Sequence, residues 1–106
     1  MLDNIKSQMR KGMLEYCILI ILNKEALYAT EIIRQLKAVE LIVVEGTLYP
    51  ILTRLKNAEI LSYYWEESTQ GPPRKYFKIT EKGENLLMEL KKEWELLSHV
   101  TNQLNK

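Results

Sequence analysis

Apolar and polar positions fall into four helical periods and one pair of strand-like runs. Residues 5–24 predict a first helix, apolar almost all round between Met13 and Leu22. A helix apolar on every side must be covered on more than one side. A chain of 106 residues is one domain with one core to offer, so the second covered face is expected to meet another subunit. Residues 28–38 predict a second helix with Ile32, Ile33 and Leu36 inward. Residues 41–43 are short and branched, and are expected to form a small strand beside the hairpin that follows.

Residues 45–57, E-G-T-L-Y-P-I-L-T-R-L-K-N, are the most informative. Leu48, Leu52 and Leu55 recur at helical spacing and form an inward stripe. Thr47, Pro50, Thr53, Arg54 and Asn57 fall largely on the other side. That face has little bulk and no carboxylate. Small hydroxyls, an amide and an arginine are groups that enter a major groove and hydrogen-bond to base edges or phosphates. Pro50 lacks the N–H that a helix interior uses. It is tolerated if the helix effectively begins near Gly46 or Thr47, because first-turn N–H groups have no partner.

Residues 60–67, I-L-S-Y-Y-W-E-E, predict a strand. Residues 68–73, S-T-Q-G-P-P, carry turn chemistry, and residues 74–80, R-K-Y-F-K-I-T, predict a second strand. Two such runs joined by Gly and Pro read as a hairpin. Gly71, Pro72 and Pro73 are expected to stiffen its tip, and Arg74 and Lys75 just beyond it to contact phosphates or the minor groove. Thr80 is placed to cap a last helix that runs to about residue 103, with Glu81 in its first turn. Leu87, Leu90, Trp94, Leu97, Thr101 and Leu104 alternate at spacings of three and four, the narrow seam of a coiled coil. The predicted fold class is mainly α with a small β-hairpin: a winged helix-turn-helix with a long C-terminal dimerisation helix. Residues 1–80 are expected to form the winged helix-turn-helix with its N-terminal helix, and residues 81–106 the dimerisation helix. Met13, Leu87, Leu90, Trp94, Leu97 and Leu104 are the expected dimer contacts.

Composition adds little to the nucleic-acid reading, because the net charge is only +1 and many such proteins are strongly basic. The local placement of Arg74, Lys75 and Lys78 carries it instead. The single cysteine, Cys17, allows no disulfide within the chain and points to a reducing, cytoplasmic compartment. The N-terminus has no apolar signal core. The longest strongly apolar run, residues 17–22, falls short of the roughly 20 residues that span a bilayer, so no membrane partner is expected. Enzyme chemistry is disfavoured. Cys17 reads as a core residue and His99 as a surface one rather than a nucleophilic pair. Glu66 and Glu67 read as solvated charges. No clustered metal ligands or glycine-rich phosphate loop are present, and no cofactor is expected.

Four motifs, in order along the chain, closely resemble the PadR family of bacterial transcriptional regulators. They are K-G-M-L-E at 11–15, G-T-L-Y-P-I-L-T-R-L at 46–55, G-P-P-R-K-Y-F at 71–77 and I-T-E-K-G at 79–83. The resemblance implies a homodimer that binds a roughly palindromic operator in double-stranded DNA and represses transcription. Thr47, Tyr49, Pro50 and Arg54 match the family's helix motif. Tyr49 can pack at the core edge, donate to a phosphate, or do both. In some members an aromatic residue of the last helix lines a dimer-centre cavity that takes flat hydrophobic compounds. Trp94 is therefore either a dimer anchor or the site of a small aromatic or hydrophobic effector. The chain departs from the family at Ala29 and at Glu59, where Gly is frequent; if position 59 requires positive φ, Glu59 is strained or the cap is rebuilt. The rival reading from another class is a winged-helix module for protein contacts.

Overall fold

The four helices and the two strands of the hairpin form where the sequence predicts them, with shifts at their ends, and a short strand that it does not predict joins them. The computed structural model describes residues 1–106. It comprises α1 (Leu2–Lys24), β1 (Leu27–Tyr28), α2 (Ala29–Ala38), α3 (Glu45–Asn57), β2 (Leu61–Ser68), β3 (Gly71–Ile79) and α4 (Glu81–Leu104). The core is wholly apolar, with no buried polar or charged residue. Leu14, Ile18, Leu19 and Leu22 of α1 meet Ile32 and Leu36 of α2, Leu48, Ile51, Leu52 and Leu55 of α3, and Phe77 of β3. The fold is a winged helix-turn-helix with one long helix beyond the wing.

The apolar run of α1 is covered largely within the chain. Four of its residues are buried, and Met13, Cys17 and Ile21 are half-buried. Ile20 is the exposed apolar residue of that run, and the others of α1 lie earlier, at Leu2, Ile5 and Met9, again at helical spacing. The radius of gyration is 15.4 Å, against about 13 Å for a compact domain of this length, because α1 and α4 project beyond the core. No helix is long and apolar enough to cross a membrane.

The sheet order is β1-β3-β2, all antiparallel. Residues 41–43 form no strand. The strand beside the wing is β1, which pairs Leu27 with Phe77 and Tyr28 with Tyr76. Val43 instead turns into the core from the α2–α3 connection. The wing tip is also tighter than predicted. Ser68 pairs with Gly71, so only Thr69 and Gln70 form the loop, and Pro72 and Pro73 lie within β3. Glu66 pairs with Arg74, which sets Glu67 opposite both prolines in a β-bulge. A bulge leaves a residue out of the ladder, and that is where residues without an N–H fit.

Both α2 and α3 end in the same way. The N–H of Glu59 donates to Lys56 O at 3.0 Å and that of Ile60 to Leu55 O at 2.9 Å. The N–H of Glu40 donates to Lys37 O and that of Leu41 to Leu36 O, both at 2.9 Å. These are Schellman caps, with Glu40 at φ 68° and Glu59 at φ 63° in the left-handed region that glycine occupies without cost. The cap at Glu59 is kept, and its side chain bears the strain.

Pro50 lies inside α3, past the first turn in which a missing N–H would cost nothing. The helix starts at Glu45, and the N–H groups of Thr47 and Leu48 already donate to Val44 O, so Pro50 stands in the second turn. The carbonyl it fails to serve belongs to exposed Gly46. Thr80 caps α4 as predicted, accepting the Gly83 N–H at 3.0 Å. Its own hydroxyl reaches Glu59 O at 2.6 Å and Ile60 O at 3.0 Å, and Lys82 Nζ donates to Ala58 O at 2.9 Å. Gly83 is buried there: a Cβ would stand 2.2 Å from Ile60 O. The T-E-K-G motif thereby ties the end of α3 to the start of α4.

Candidate nucleic-acid interface

Burial of Leu48, Ile51, Leu52 and Leu55 fixes the rotation of α3. Helical spacing then puts Gly46, Pro50, Thr53 and Asn57 on its outermost line, all exposed and none acidic. Thr47 and Arg54 occupy the flank facing α1, beside a cleft of about 720 Å³ that Leu14 and Val44 also line. Tyr49, 46% exposed, and Lys56 occupy the opposite flank.

Arg54 has a partner inside the chain. Its Nη2 donates to Glu15 Oε1 of α1 in an ion pair whose side chains remain 52% and 29% exposed. The two residues come from two of the motifs quoted above, and only the fold brings them together. Hydroxyl, amide and backbone therefore dominate the free face of α3.

The wing has two chemically distinct faces, because side chains alternate along a strand. Tyr28, Tyr76 and Tyr64 stand side by side on the outer face, one from each strand. Tyr28 meets Tyr76 edge-on at 5.3 Å, and Tyr76 stacks on Tyr64 at 5.5 Å. The Arg74 guanidinium lies 4.6 Å from the Tyr28 ring. Desolvation, followed by the charges of Glu66 and Glu31 and by Tyr28, raises the Tyr76 phenol above its ordinary range, and Arg74 opposes this. The inner face carries Tyr63, Trp65, Lys75 and Phe77. Lys75 Nζ sits 4.0 Å above Tyr63 and 5.9 Å from Trp65, and Lys56 Nζ of α3 approaches the same Tyr63 ring at 5.6 Å. Arg74 and Lys75, adjacent in sequence, thus point to opposite sides of the wing.

Lys56, Tyr63 and Trp65 were not among the predicted site residues. Period-two alternation in Y-Y-W already puts Tyr63 and Trp65 on one face. Pairing them with Lys75 and Lys56 needs the strand register and the seating of α3, which the sequence does not display.

Among the predicted dimer contacts, Met13, Leu87 and Leu90 are half-buried, the two leucines against their own core. Trp94, Leu97 and Leu104 are 46%, 49% and 80% exposed. Cys17 is partly buried in α1, and that burial raises its thiol pKa. His99 is exposed.

Comparison with known proteins agrees with this geometry. The chain is 63% identical to a PadR-like transcription factor from Bacteroides fragilis, whose structure superposes with a TM-score of 0.83 over 95% of this chain and 98% of that one. A PadR-like transcriptional regulator from Bacillus cereus is 38% identical, with a TM-score of 0.84 over 93% and 97% of the two chains. The structure of Bacillus subtilis PadR in complex with operator DNA aligns at 20% identity and a TM-score of 0.69, covering 76% of this chain and 46% of that one, and bears on the fold alone. The model of the transcriptional regulator PadR-like family matches residues 18–89. That span holds α2, α3, the wing and the start of α4, and with it this chain belongs to the PadR-like family, whose members are DNA-binding transcriptional regulators and not enzymes.

Proposed function

We propose that the chain works as a homodimeric repressor that reads a palindromic operator with α3 and flanks it with the wing. The observation that carries this is the outer line of α3, polar, small and free of carboxylate, beside a wing that carries Arg74, Lys75 and Lys78. Thr53, Asn57, Thr47, Pro50 and Tyr49 are its proposed groove-facing residues, and Arg74 and Lys75 its proposed backbone contacts. Arg54, held by Glu15, acts through the position of α3 against α1. Residues 1–80 form the DNA-binding part, and residues 81–106, with the exposed stripe of α1, join the two copies. Two-fold symmetry then sets the half-sites one helical turn apart or a multiple of it. The reducing cytoplasm is the compartment in which Cys17 stays free and DNA is at hand.

Binding selections on randomised duplexes test the reading. Thr53→Ala is expected to change base preference, because a threonine hydroxyl and methyl read base edges in the major groove. Lys75→Ala is expected to weaken all sequences alike and to flatten the salt dependence by about 0.9 for each phosphate lost. Identical selected motifs from wild type and Thr53→Ala would reject the helix assignment. Failure of the wild type to bind any duplex would leave the wing as a protein-contact surface.

Trp94 extends the proposal to regulation. Its ring is half exposed at a seam position, so two copies approach across the dimer axis and can stack a flat hydrophobic compound. Such a compound releases operator only if it prefers one spacing of the two α3 helices, since equal affinity for both states shifts nothing. Titration with planar hydrophobic compounds is expected to quench fluorescence in wild type and not in Trp94→Ala. A quench that survives the substitution reduces Trp94 to a dimer anchor.

A further inference from the structure

We infer that a continuous line of alternating cation and aromatic ring, Lys56–Tyr63–Lys75–Trp65, carries the duplex from α3 out along the wing, with Trp65 lying against the DNA. The inference rests on the proposed DNA-binding function and extends it to three residues outside that reading. The line is set by geometry. Lys56 and Lys75 approach one Tyr63 ring, at 5.6 and 4.0 Å, from two different elements. Lys75 then lies between Tyr63 and Trp65, which stands two residues further towards the tip on the same face.

Three observations separate this line from ordinary surface chemistry. Neither ammonium has a carboxylate partner, since the ion pairs of the chain are Arg54–Glu15 and Lys92–Glu89. Two like charges gathered over one ring, without a counter-ion, form a local positive field suited to an anion such as a phosphate. Tyr63 and Trp65 are 39% and 61% exposed, although nearby Phe77 on the same face is 3% exposed. An indole left in water on the face of the wing gains by lying on sugar or base edges once DNA covers it. Cations that track phosphates, beside exposed rings that can cover sugar and groove edges, make a surface that suits a duplex.

The test uses the full chain and a short mixed-sequence duplex at low salt, followed by a duplex enriched by selection. The two tryptophans of the chain, Trp65 and Trp94, make fluorescence a direct readout. Wild-type fluorescence is expected to change on adding duplex, and the change is expected to vanish in Trp65→Phe. Trp65→Ala is expected to bind about tenfold more weakly, from the apolar area that the duplex no longer covers, with an unaltered salt slope, because an aromatic contact neutralises no phosphate. Lys56→Ala is expected to flatten that slope by about 0.9. Both side chains are at the surface, and thermal unfolding of each variant separates lost binding from lost fold. Duplex binding by the wild type, with the fluorescence change retained in Trp65→Phe or with full affinity in Trp65→Ala, overturns the inference and leaves the DNA-binding function standing. No duplex binding by the wild type rejects both.

Discussion

Helices α3 and α4 are both amphipathic, and they expose opposite kinds of surface. In α3 the apolar stripe is spent on the core, and what remains outside is small and polar. In α4 only Gly83 is buried, and the apolar residues of its second half, Trp94, Leu96, Leu97, Val100 and Leu104, stand in solvent. A polar, acid-free face suits a hydrated polyanion, whereas an apolar stripe needs another apolar surface. The contrast teaches that each helix's uncovered side, and not its buried one, indicates its partner.

The contrast breaks most visibly if α4 loses its apolar stripe. Leu97→Asp with Leu104→Asp is expected to weaken self-association by at least about 3 kcal/mol, more than a hundredfold in dissociation constant, by putting two charges into an apolar contact. Sedimentation equilibrium decides it, and an unchanged dimer would show that the stripe is not the interface. The helical content of α1–α3 is expected to persist.

The joint between the two helices comes next. Gly83→Ala forces a methyl group onto the Ile60 carbonyl, a backbone atom held by the Thr80 N–H at 3.1 Å. A loss of roughly 1–3 kcal/mol or more in chemical denaturation is expected. At the other side of the same joint, Glu59→Gly relieves the left-handed backbone and is expected to stabilise by about 1 kcal/mol. Opposite signs within one joint would sharpen the view that the end of α3 and the start of α4 are built as a unit; two losses would mean that the Glu59 side chain contributes more than its strain costs.

The seating of α3 is more lightly held. Glu15→Gln and Arg54→Gln are each expected to cost about 0.2–1 kcal/mol, since the pair is partly exposed and solvent-screened. The double variant is expected to cost no more than either single one. If Arg54 contacted DNA directly, Glu15→Gln would instead raise duplex affinity by freeing it, so the sign in a binding titration discriminates the two roles.

The smallest effect lies in α1, the helix against which both lean. Burial raises the Cys17 thiol pKa in the folded chain above its unfolded value. The associated stability is fully present below the ordinary thiol pKa and is lost as pH rises through the folded one. Cys17→Ser is therefore expected to remove a slight alkaline decline in melting temperature, and alkylation of the native thiol to be slower than in the unfolded chain.

Local pattern alone determined much of this protein. The stripe of Leu48, Leu52 and Leu55, the Thr80 cap and the three-and-four spacing from Leu87 to Leu104 are properties of neighbours in sequence. Helical period and capping chemistry express them directly. Tertiary structure alone decided which residues from distant segments meet. Residues 41–43 have strand-like composition, yet the strand beside the wing is Leu27–Tyr28, because a strand is defined by its partner and β3 presents its free edge there. Pro72 and Pro73 have turn chemistry, yet a bulge admits them into β3. Arg54 looks free on a helical wheel, and Glu15, 39 residues earlier, holds it. The separation of Arg74 from Lys75 onto two faces, and the gathering of Lys75 with Lys56 over Tyr63, follow from strand register and helix seating. Long-range packing sets both of these, and no local period encodes them.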